Sequence, residues 1–212
     1  MESAALPAPR VFLLSPARSD GPRADVLVHS PGELGEALRS ERGAALGQVY
    51  AWLSSLYFRG KLSYATRFGA STLAAPGALV ITPGHGLCRP STPVRASDLA
   101  AIAQVDVDAK NPLFVEPLLR DARLLREAVS SETEIVLLGS VATTKYVDPL
   151  LAVFGERLLF PRAFVGRGDM SRGGLLLRAA RAGDELAYVP VSTSARSGPR
   201  ARRIAELDPG DR

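Results

Sequence analysis

With 212 residues, of which 46% are hydrophobic, and a mean hydropathy of +0.07, the chain can bury one full core but is short for two. Its 26 basic residues exceed its 22 acidic ones by only four, so a pI near 9.6 does not imply the strong field of a dedicated nucleic-acid binder. A single cysteine, Cys88, excludes an internal disulfide framework and a multi-cysteine zinc site. No signal-like start and no run of the roughly 18 apolar residues of a membrane span is found, so a cytoplasmic protein without a membrane partner is expected.

Residues 1–9, with Pro7 and Pro9, read as a disordered N-terminus. Arg10 to Leu14 is a short apolar run closed by Ser15 and Pro16, the pattern of a buried strand. Ser30, Pro31 and Glu33 open a helix over 31–40, with Leu34, Ala37 and Leu38 on one face. From Ala44 to Phe68 the helical period continues, with a break expected near Arg59 and Gly60. Ala78 to Thr82 repeats the design of the first strand and opens through Pro83 and Gly84 into His85, Gly86 and Leu87. A long amphipathic helix is predicted over 112–129 and a third strand over 134–138. Pro149 reads as a first-turn proline of a helix that Gly155 ends, ahead of a weaker strand at 157–161. The glycine-dense stretch 164–174 reads as a loop feeding a helix from Leu175 to Ala182, and 188–191 as an edge strand. Residues 192–212, rich in Arg and Ser, read as a disordered tail.

Strands alternating with helices over 10–191 predict a single α/β domain. Its mainly parallel open sheet would hold about 4–5 strands, with helices on both faces. Ligands of such sheets bind in a crevice at the carboxyl ends of the strands, where the Pro- and Gly-marked loops after the strands are expected to converge.

The richest of these loops is the exit of the third strand, where Gly139, Ser140, Thr143, Thr144 and Lys145 offer amides, hydroxyls and one ammonium suited to phosphate or carboxylate. It lacks the Gly-Lys of a P-loop, and a capped helix start accounts for the same residues. In the second cluster, Gly166, Arg167, Ser171 and Arg172 can hold phosphate, while Asp169 can bind a hydroxyl or activate water; Asp169 as a helix N-cap is the plainer reading. His85, between two glycines beside a strand end, is the best general acid or base in the chain. Ser15 and Arg18 add a hydroxyl and a guanidinium at the first strand end. The catalytic candidates are therefore His85 and Asp169. With one such His and one Cys no metal cluster is expected, and no cofactor motif is complete. Tyr50, Trp52, Tyr57, Phe58 and Tyr64 at helical spacing read as core, which leaves Arg59 and Lys61 as the pair to examine for nucleic acid.

Three stretches carry a resemblance: Leu13 to Ala17; Leu56 to Ala65 with Tyr57, Gly60, Lys61 and Tyr64; and Val80 to Pro90 with Thr82, Gly84, Gly86 and Leu87. Over residues 11–93 the chain resembles an uncharacterised bacterial and phage α/β family and, more distantly, the peroxide stress protein YaaA family. The latter resemblance implies DNA binding and a place in the oxidative stress response. Two functions follow as expectations. One is an enzyme acting on a nucleotide, nucleoside or nucleic-acid end. The other is a non-catalytic DNA-binding protein using Arg59, Lys61 and the Arg-rich tail.

Overall fold

The structure, a computed structural model, describes residues 8–70, 75–141 and 144–192. The extremes of both expected disordered termini, and Thr143, lie outside the described residues. Six strands form one sheet: β1 (Arg10–Leu14), β3 (Ala78–Thr82), β4 (Gly86–Cys88), β6 (Glu134–Leu138), β7 (Leu158–Pro161) and β8 (Tyr188–Pro190), in the order β4-β3-β1-β6-β7-β8. The pairs β3–β1, β1–β6 and β6–β7 are parallel, and the edge strands β4 and β8 are antiparallel to their neighbours. A two-residue bridge, β2 (Ala44–Ala45) with β5 (Pro93–Val94), stands apart.

The central strands are near-continuous Val, Ile, Leu and Phe because both faces of a parallel sheet are covered, and four of the five residues of β1, β3 and β6 are buried. Eight helices surround the sheet among the described residues: α1 (Pro22–His29), α2 (Glu33–Arg39), α3 (Leu46–Ser54), α4 (Leu56–Phe68), α5 (Ala96–Ala103), α6 (Pro112–Ala128), α7 (Thr144–Phe154) and α8 (Asp169–Ala182). Crossovers between parallel strands are right-handed as a rule, and that rule sorts the helices between the two faces. The chain leaves β1 towards β3, then returns past β1 to β6 and β7, so α4 falls on one face and α6 and α7 on the other. The packing follows that division, α4 against α8 and α6 against α7. None of the described helices is long and apolar enough to cross a membrane.

Local structure departs from the expected elements where glycine and proline act through tertiary packing. The break in the 44–68 segment falls at Ser55, whose φ of 52° reverses the chain between α3 and α4, while Gly60 lies inside α4. There a side chain is excluded by α8: a Cβ at Gly60 would stand 2.6 Å from the Gly173 carbonyl oxygen. Helix α8 accordingly begins at Asp169 and includes Gly173 and Gly174, which read as loop in the sequence. Its N-cap is Gly168, so the expectation of an Asp169 cap is corrected. Pro149 sits inside α7 rather than in its first turn. The segment after β3 is a tight reversal: Pro83 and then Gly84 at φ 77° bring the His85 N–H to the Thr82 carbonyl at 3.0 Å, and the chain runs straight back as β4. That hairpin was not foreseen, nor were α5 and the small bridge.

Candidate functional site

In the sheet order β3-β1-β6-β7, connections leave β1 and β6 in opposite directions, so the carboxyl ends of these two strands flank a topological switch point. Close approach is built into the pair. A Cβ at Gly139, just after β6, would lie 2.9 Å from the Ser15 Cβ and 3.1 Å from the Tyr146 hydroxyl, so glycine is what lets the two strand exits meet. A cleft of about 610 Å³ opens here. Of the catalytic and ligand-binding candidates read from the sequence, Ser15, Arg18, Ser140, Lys145 and Asp169 line it. They come from the exits of β1 and β6, the start of α7 and the first turn of α8.

The other candidates stand elsewhere or are engaged locally. His85 is exposed in the β3–β4 turn, and only Pro83 of that turn lines the cleft. Arg167 donates to the Ala163 carbonyl at 2.9 Å and to Ser171 Oγ at 3.3 Å, tying Gly166 and its neighbours into a self-contained loop. Arg172 donates to the Phe164 carbonyl at 3.2 and 3.3 Å, lies over the Phe164 ring, and reaches Asp169 at 3.5 Å. Both arginines of the 166–174 stretch are thus bound to their own loop. At the β6 exit the Ser140 N–H donates to the Tyr146 hydroxyl at 3.2 Å, so that amide already has an acceptor. Thr144 and Lys145 are exposed at the head of α7.

The group that the sequence reading placed elsewhere is Lys61. It is 1% exposed, and its position in α4 carries the amine to the end of β1. There Nζ donates to the Ser15 carbonyl at 2.6 Å and contacts Ser15 Oγ at 3.0 Å. The rings of Tyr57 and Phe58 lie 4.5 and 4.8 Å from Nζ. Burial lowers the Lys61 amine to about 7, opposed only in part by the charge of Asp169. Lys61 is therefore unavailable as a surface contact for nucleic acid, which corrects the expectation for the Arg59 and Lys61 pair. A signal for it existed: Tyr57, Phe58, Lys61, Tyr64 and Ala65 fall on one stripe at helical spacing, and that stripe is buried.

The cleft is mixed in charge. Arg18, Lys61 and Lys145 are matched by Asp20, Asp106 and Asp169. Arg18 and Asp20 form an exposed pair at 2.7 Å, which raises the guanidinium and lowers the carboxyl from their ordinary values. Tyr57, also on the cleft wall, has a buried hydroxyl with no hydrogen-bond partner among the described residues, and burial raises it although Arg172 nearby opposes the shift. The cleft thus offers one hydroxyl held by an amine, two exposed cations and the carboxylates of Asp20, Asp106 and Asp169.

Comparison with protein-family models, with curated proteins and with solved structures finds nothing that matches this chain.

Proposed function

We propose that the chain binds a phosphate-bearing ligand, a nucleotide, nucleoside or nucleic-acid end, in the cleft at the β1 and β6 exits, and modifies it as an enzyme. The observation that carries this reading is the meeting of Ser15, Arg18, Ser140, Lys145 and Asp169 around one cleft at a switch point. Lys145 and Arg18 supply charge for phosphate, Ser140 a hydroxyl, and Asp169 a carboxylate able to move a proton. The test is a panel of nucleotides and nucleosides in thermal unfolding. A binding ligand raises the melting temperature, and Lys145→Ala abolishes the rise without changing the unliganded value, since Lys145 is exposed and holds no ion pair among the described residues. No rise with any phosphate-bearing compound removes the reading.

A second reading, DNA binding in the manner of the YaaA family, draws on another feature. Arg59, Arg67 and Arg181 line a shallow groove between α4 and α8 that has no acidic residue in its wall among the described residues. Such a groove suits a phosphate backbone and needs no base contacts.

A further inference from the structure

The contacts of Lys61 do more than anchor a strand end. Among the described residues no carboxylate stands within ion-pair distance of its amine, so the charge buried there has no direct counterion. The partners it does have serve either protonation state. As an ammonium, Nζ donates to the Ser15 carbonyl and to Ser15 Oγ, with its remaining proton facing the aromatic rings. As an amine it keeps the carbonyl bond while its lone pair accepts the Ser15 hydroxyl proton across the same 3.0 Å. A proton can cross that gap with no rearrangement of heavy atoms.

We propose that Ser15 and Lys61 are a nucleophile and its general base, and that the cleft transfers a phosphoryl group of its ligand to Ser15 Oγ. The inference rests on the phosphate-ligand reading above and adds to it the reacting atoms. Ser15 lines the same cleft as Ser140, Lys145 and Arg18, so a phosphate held by those groups shares that cleft with the hydroxyl. Gly139 leaves room at that hydroxyl, since a Cβ there would come within 3.1 Å of Ser15 Oγ. The amine of Lys61 is poised near neutrality by burial, which is where a general base works best. In the step, Ser15 Oγ attacks phosphorus; the Oγ–P bond forms as the bond to the leaving oxygen breaks, and the Ser15 proton passes to Lys61 Nζ. The leaving oxygen departs on the far side of the phosphorus and takes its proton from water, while Lys61 Nζ keeps the Ser15 proton and returns it to Oγ when the adduct is cleaved. Water then cleaves the Oγ–P bond, restores Ser15 and releases orthophosphate.

The experiment uses the full chain with p-nitrophenyl phosphate as the probe, acid quenching, and tandem mass spectrometry. The expected result is a phosphoryl adduct on Ser15, absent from Ser15→Ala, whose formation rate climbs with pH through a limb near 7. Lys61→Arg keeps a cation in place but cannot accept a proton, and it slows the step about a hundredfold or more. A purely anchoring lysine gives none of these signatures. Circular dichroism confirms that each variant is folded, and should Lys61→Arg fail that check the wild-type pH profile decides, a flat rate around 7 overturning the dyad. An adduct on another residue, no adduct, or an undiminished rate in folded Lys61→Arg overturns it equally. If no adduct forms but a nucleotide still raises the melting temperature in a Lys145-dependent way, the dyad alone falls. Loss of both results removes the ligand reading too.

Discussion

Lys61 shows how one side chain links the stability of the fold to pH. Burial lowers its amine from the ordinary 10.5 to about 7. In the unfolded chain the amine keeps its proton up to its ordinary range, whereas the folded protein releases it near 7. Between those values the unfolded state binds more protons, so stability rises with pH across the window. Below 7 both states are charged and the cost of burying the ammonium is carried in full. The expected outcome is an unfolding free energy, measured by urea titration, that increases as pH rises from 7 towards 10.5, by an amount on the order of a few kcal/mol. Lys61→Met flattens that increase, and a profile identical in the two proteins contradicts the assignment. The sequence carried part of this, since Lys61 occupies the apolar stripe of α4. What it could not carry is the destination of the amine, Ser15, 46 residues away and brought near only by the β1–α4 packing. Ser15, Ser140 and Lys145 were legible because strand exits in a parallel sheet follow from local punctuation. His85 was misplaced in space because a Pro-Gly pair marks a hairpin as readily as a strand exit.

Helices α4 and α8 meet through glycine. Besides the Gly60 contact, a Cβ at Gly173 would stand 2.8 Å from the Leu56 carbonyl oxygen and from the Tyr57 Cα. The close approach outweighs the roughly 1 kcal/mol that each mid-helix glycine forfeits relative to alanine. The helix that presents Tyr57 and Lys61 is thereby seated on the helix that presents Asp169. Gly60→Ala and Gly173→Ala are each expected to lower stability by about 1–3 kcal/mol. Gly174→Ala is the control: its Cβ would meet only the movable Arg178 Nη1, at 3.3 Å, so a gain of up to about 1 kcal/mol is expected. Chemical denaturation of the three variants checks the order, and equal losses at all three positions refute the crossing argument. This also explains why the start of α8 was not legible. Propensity reads Gly173 and Gly174 as loop, and only the neighbouring helix makes glycine the residue that fits.

Over the whole molecule, a net charge of +4 is small, yet its distribution is uneven. The cleft balances its charges while the α4–α8 groove gathers Arg59, Arg67 and Arg181. If that groove carries DNA, binding weakens steeply with salt, and alanine at all three arginines reduces the logarithmic salt slope by about three. Binding indifferent to salt, or a slope unchanged by the triple substitution, eliminates the second reading. The fold class was legible because alternating apolar strands and amphipathic helices leave few arrangements. Sheet order and the reversed outer strands were not, since both depend on which exit turns back. Those outer strands have a consequence for self-association. Each border of the ladder is a segment of three residues laid against the grain of its neighbour, and one of them ends in Pro190, which has no amide proton to offer. A second copy arriving side-on finds little to hydrogen-bond with, so growth of the sheet from molecule to molecule is blocked along these borders.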